Sequence, residues 1–182
     1  VSAAEVDVLS TRRIYEGRVI NLRVDTLRGA RGRPHDIEVV EHAGAVVVIV
    51  RPTPDTMLLV KQYRHPVGHE MWEAVAGGMD PGETPEAAAL RELREETGYR
   101  AQRVTHLFSG YSAPGFCSEL LHFCLVDADG YEIGEPEPDE DEQIEVGVFA
   151  IEEVWRMIRA GELQDAKTQV AVLWALTAPP SS

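Results

Sequence analysis

Over residues 1–41 apolar and polar positions alternate loosely. Residues 18–27 read R-V-I-N-L-R-V-D-T-L and residues 36–40 read D-I-E-V-V, with the turn-like G-A-R-G-R-P between them. Alternation of this kind predicts half-buried strands, so a small β arm is expected. The pattern then changes. Residues 45–50 (AVVVIV) form an unbroken β-branched run, which predicts a strand covered on both faces. Residues 57–63 (MLLVKQY) are expected beside it across a turn at 52–56, and residues 72–76 lead into Gly77-Gly78 and the Asp80-Pro81-Gly82 turn.

A helix is expected from Thr84, a suitable N-cap followed by Pro85, to Gly98, where a left-handed residue would stop it. Residues 103–110, 119–127 and 144–150 predict strands. Residues 153–159, closed by Gly161, and 165–176, capped by Asp165, predict helices. Strands and helices mix without β-α-β repetition, which favours an α+β fold with a mixed sheet between helices. The expected division is an arm at 1–42 and one domain at 43–182.

The length of 182 residues agrees with about one domain, and 44% hydrophobic with 26% charged residues indicates a soluble globular class. The balance of 31 acids and 17 bases, net −14, sharpens this: the field repels nucleic acids and anionic lipids, so neither is an expected partner. A phosphate-bearing substrate would need a bound cation or an arginine clamp. No basic region followed by an apolar run opens the sequence, and no stretch approaches the ~18 apolar residues of a membrane span, so a cytoplasmic location is expected. Cys117 and Cys124 have apolar or small neighbours and read as buried thiols in a reducing compartment.

Residues 77–99, GGMDPGETPEAAALRELREETGY, carry the chemistry. On the expected helix Glu92 and Glu96 are four apart and Glu95 is three from Glu92, so they share a face, with Leu90 and Leu93 on another. Like charges so spaced cost about 0.2–0.5 kcal/mol per pair, which a cation between them would relieve. Carboxylate oxygens suit magnesium or manganese rather than zinc. Taken alone, the three glutamates fit a solvated acidic face equally well.

The wider pattern decides between these readings. Gly77, Glu83, Arg91-Glu92-Leu93, Glu95-Glu96 and Gly98 reproduce G-x5-E-x7-R-E-U-x-E-E-x-G-U at every fixed letter. This resembles the Nudix box of hydrolases acting on nucleoside diphosphates linked to another moiety; Tyr99, at a usually aliphatic position, is the one departure. The resemblance implies a Nudix fold, an α/β/α sandwich in which Glu92 and Glu96 ligate divalent metal, Glu95 contributes, and the Ala76 carbonyl completes the shell. Arg91 and Glu83 would orient carboxylates. Magnesium is the implied cofactor, with manganese able to substitute.

Pro114 lies fifteen residues beyond the box, in Ser112-Ala113-Pro114-Gly115-Phe116, and resembles the marker of the ADP-ribose pyrophosphatase subfamily; the alternative is an ordinary turn. Lys61-Gln62-Tyr63-Arg64 is similar to the segment whose arginine contacts the substrate diphosphate, the alternative being a surface arginine paired with an acid. The resemblance adds Glu73 and Gly115 to the substrate contacts. It also implies a homodimer that exchanges the arm. Relatives place an arginine where Ile37 stands, which shifts the expected phosphate contact to Arg28, Arg31 or Arg33. In residues 132–145, rich in acids and free of bases, Glu142 is the first candidate and Glu140 the second for the general base that the subfamily's mobile loop supplies. Trp72 and Tyr15 are candidates to stack on adenine, or are core or interface aromatics. The implied reaction is hydrolysis of ADP-ribose to AMP and ribose 5-phosphate; another nucleoside diphosphate sugar such as GDP-mannose, or a silent nucleotide-sugar-binding domain, are the alternatives.

Overall fold

The structure, a computed structural model, describes residues 7–29, 32–127, 131–133 and 144–177. The chain divides into two compact units, residues 1–44 with 110–121 and residues 45–109 with 122–182.

In the smaller unit β1 (Val8–Glu16), β2 (Asn21–Arg28) and β3 (Pro34–Glu41) form an antiparallel sheet in chain order. The arm expected from alternation is therefore present, with a strand, β1, that the sequence did not single out. Every residue of β1 is exposed. Polar pairs fix the register: Thr11 lies opposite Asp25 and donates to it at 2.8 Å, and Arg23 reaches the same carboxylate at 2.9 Å. The Pro114 segment is tied to β3, since Val40 N donates to Phe116 O at 2.8 Å and Ser118 N to Val40 O at 2.9 Å.

The larger unit is built on β4 (Ala45–Arg51) and β5 (Thr56–Arg64), followed by β6 (His69–Glu73), β7 (Val75–Gly78), α1 (Pro85–Thr97) and β8 (Tyr99–Ala101). Then come β9 (Thr105–Tyr111) and β10 (Leu120–Asp127), whose ends cross the division, β11 (Tyr131–Ile133), β12 (Glu145–Ala150), α2 (Ile151–Arg159) and α3 (Ala166–Thr177). The sheet order is β12-β5-β4-β10-β9, with β6 on β5 and β7 on β4. Val46–Val50 are fully buried, as the β-branched run predicts. Val48, Val50, Leu58 and Val60 form one core with Ala89 and Leu93 of α1. Val47 and Ile49 alternate to the opposite face, and α3 also packs on β4.

Three differences from the sequence reading have physical causes. The extended segment at 72–76 is two strands, because Ala74 N donates to the Thr168 hydroxyl at 2.7 Å instead of to a neighbouring strand. The chain thereby leaves β5 and moves to β4. Helix α2 begins at Ile151 rather than 153; no side chain caps it, and Ile151 N donates to Asp55 O at 2.9 Å. Strands β8 and β11 pair with each other but are three residues long, too short to show a period. Cys124 is buried as expected, and burial pushes its thiol up to about 11, whereas Cys117 is only half-buried. Among the described residues no helix is long and apolar enough to cross a membrane.

Candidate active site

Helix α1 starts and stops where its caps dictate. Thr84 Oγ1 accepts from Ala87 N at 3.3 Å, and Gly98 adopts φ 72° with its N–H on Arg94 O at 2.9 Å. Before it, Asp80 and Glu83 close a reciprocal turn: Glu83 N donates to Asp80 O and Asp80 N to Glu83 Oε2, both at 3.0 Å. This turns the Glu83 carboxylate toward Arg91.

Arg91 gathers the acids of the box. Its Nε donates to Glu83 Oε1 at 3.1 Å and Nη2 to Glu83 Oε2 at 3.0 Å; Nη1 reaches Glu92 Oε1 at 2.6 Å and Glu95 Oε2 at 3.1 Å. Nη2 also holds the Gly78 carbonyl at 2.8 Å. Those hydrogen bonds hold the Glu83 carboxyl below, and the Arg91 guanidinium above, its ordinary range. Arg91 thus already relieves part of the crowding that the spacing argument assigned to a metal.

Gly77 explains itself sterically: a Cβ there would lie 2.0 Å from the Glu92 carboxyl carbon, so only glycine lets the helix carboxylate lie against β7. Ala76, whose carbonyl is the expected backbone ligand, precedes it on that strand. Glu96 is buried, at 5% exposure. Among the described residues no three His, Cys, Asp or Glu side chains converge on one point as an ion would require. The donor chemistry nonetheless fits a hard divalent ion. Every candidate ligand, Glu92, Glu95, Glu96 and the Ala76 carbonyl, offers oxygen, and Glu92 is brought against the backbone next to Ala76. Three acids around one arginine also leave a surplus of negative charge.

The second cluster centres on Glu73, at 1% exposure. Arg64 grips it bidentately, Nε to Oε1 at 2.8 Å and Nη2 to Oε2 at 2.9 Å, and Lys167 Nζ bonds Oε2 as well. Burial pushes the Glu73 carboxyl up, but the Arg64 hydrogen bonds and the Lys167 charge outweigh it, so its pKa lies below the ordinary value. Arg64 is therefore an acid-paired arginine, with a side chain still 39% exposed. Lys167 escaped the sequence reading; its one signal is its place two residues after the cap Asp165.

In the smaller unit Pro114, Gly115, Tyr111 and Phe116 line a cavity of about 340 Å³ with Ile37 and Val39. Arg28, proposed as a phosphate contact, is tied to Asp7 by Nε to Oδ2 at 2.6 Å. Arg33 is exposed, and Arg31 lies outside the described residues. So do both candidates for the general base, Glu142 and Glu140. Trp72 packs edge-on against Phe149 at 4.8 Å, both rings half-buried, whereas Tyr15 is exposed.

Residues 41–170 match the model of the NUDIX domain. The chain is 35% identical over 172 residues to the ADP-ribose pyrophosphatase of Bacillus subtilis, covering 94% of this chain and 93% of that protein. It is 34% identical over 168 residues to the methanol dehydrogenase activator of Bacillus methanolicus, with 92% and 91% covered. A solved structure described as an ADP compounds hydrolase superposes with a TM-score of 0.81 at 21% identity over 95% of this chain and 93% of that one, a likeness of fold.

Proposed function

The chain belongs to the NUDIX family and is a hydrolase, and on that premise we propose that it splits the diphosphate of ADP-ribose into AMP and ribose 5-phosphate with magnesium. The likeness along nearly the whole chain to an ADP-ribose pyrophosphatase carries this reading. The complete box, with Arg91 holding Glu83, Glu92 and Glu95, supports it.

Glu92, Glu96, Glu95 and the Ala76 carbonyl would hold the metal. The chemistry a divalent ion supplies there is neutralisation of charge on the diphosphate and a lowered pKa for the attacking water. Arg91 keeps Glu92 and Glu95 oriented, and Glu83 keeps Arg91 in place. Arg64 binds a substrate phosphate through its exposed edge while Glu73 holds the inner one. Pro114 and Gly115 contact the nucleotide sugar. Glu142, or failing it Glu140, takes the proton from water. Arg28 would have to give up Asp7 to meet a phosphate. Val8, Leu9, Ile14 and Tyr15 on the exposed edge strand β1 support a homodimer in which a second copy covers the arm.

The test is release of AMP and ribose 5-phosphate from ADP-ribose with and without magnesium, beside GDP-mannose, NADH and a nucleoside triphosphate, on protein sized by light scattering. Magnesium-dependent preference for ADP-ribose by a dimer is expected. Preference for another sugar nucleotide would move the substrate, absence of turnover would favour a binding domain, and a monomer would remove the arm exchange.

A further inference from the structure

We infer that Lys167 is a positioning residue for Arg64, a role that rests on the proposed hydrolysis of a nucleoside diphosphate. Lys167 and Arg64 Nη2 share one oxygen of Glu73, Oε2. Lys167 is itself anchored: Asp165 Oδ1 holds its Nζ at 2.9 Å. The other oxygen, Asp165 Oδ2, accepts from Thr168 N at 3.0 Å and from the Thr168 hydroxyl. That hydroxyl in turn accepts from Ala74 N. The first turn of α3 thus grips the Glu73 side chain and the backbone of the next residue, where the chain turns from β6 toward Ala76.

The charges explain why a second cation matters. Arg64, Lys167, Glu73 and Asp165 sum to zero. Removing Lys167 leaves a surplus negative charge, tightens the bidentate hold of Glu73 on Arg64, and sets that charge where an anionic substrate must approach. With Lys167 present, Glu73 divides its attraction and Arg64 keeps donor capacity along its exposed edge. The sign matters in a chain of net −14, where few cations are available to a phosphate.

Lys167→Met is expected to raise the KM for ADP-ribose about tenfold and leave kcat within about twofold, with Lys167→Arg recovering most of the loss. In an Arg64→Met background the same substitution should add nothing, because both act through one contact. Additive effects, or a fall in kcat at constant KM, would overturn the inference. A second readout needs no substrate: the Arg64 Nε–H resonance, assigned by its loss in Arg64→Met, should move in Lys167→Met and return in Lys167→Arg. A resonance that stays put would refute positioning. Lys167→Gln, which keeps a donor, serves if the Met variant does not fold and should move the resonance less. If the wild-type protein cleaves no nucleoside diphosphate sugar, the proposed function fails, and the resonance alone decides the role of Lys167.

Discussion

At Arg91 one guanidinium serves three carboxylates, Glu83, Glu92 and Glu95, whereas at Glu73 one carboxylate serves two cations, Arg64 and Lys167. The ratios are inverted, and the two hubs differ in burial. Arg91 keeps a quarter of its side chain exposed (25%), while Glu73 keeps 1%. A partly wet hub can carry a surplus of the opposite sign around it, which suits an ion that comes and goes. A dry one cannot, because an uncompensated buried charge costs several kcal/mol. On the proposed function the first cluster does the chemistry and the second holds Arg64 for the substrate phosphate.

The comparison breaks most sharply at Glu96, on the helix of the acid-rich cluster. Glu96→Gln is expected to lower kcat on ADP-ribose about 10³-fold, the scale of losing charge stabilisation in a metal site, while the urea midpoint holds. Full turnover would remove α1 from the mechanism. Glu73→Leu should act the other way, on folding: Arg64 loses both of its carboxylate bonds and Lys167 keeps only Asp165, which is expected to cost about 1–3 kcal/mol in denaturant titrations. An unchanged midpoint would mean that both cations find other partners.

The smallest effect is the dependence on acid. Glu73 titrates below its ordinary 4.5, so its contribution to stability is complete above that pH and is lost as the pH falls through the lower folded value. The stability gap between wild type and Glu73→Gln should therefore be constant above pH 4.5 and close below it. Glu83 shares the sign through its Arg91 hydrogen bonds, so Glu83→Gln should show the same window. A gap that widened in acid would reverse the assignment for either residue.

How legible each region was follows from how far apart its parts lie. The box cluster is local: Gly77 to Glu96 is one turn and one helix, so fixed spacing and the caps at Thr84 and Gly98 fixed its residues before any contact was known. The Glu73 cluster was half visible. Arg64 and Glu73 stood out through a resemblance, but Lys167 reaches Glu73 across 94 residues, and no local pattern records such a pairing. The break at Ala74 was invisible for the same reason, since its bond to Thr168 also spans 94 residues. In the arm, alternation showed strands but left β1 unmarked, because V-L-S-T-R-R-I-Y-E sets its apolar residues in adjacent pairs instead of alternating them.

The bond between Ala74 and Thr168 also has a consequence in time. During synthesis the box is complete well before Thr168 emerges, and the Ala74 N–H can find that hydroxyl only afterwards. Closing so long a loop is slow relative to forming a helix or a hairpin. Helix α1 can thus form from local contacts, whereas the turn before Ala76 and Gly77 gains its bond to α3 only after a closure spanning 94 residues. A chain ending before Thr168 bears the whole signature yet lacks the hydroxyl that holds the backbone of Ala74.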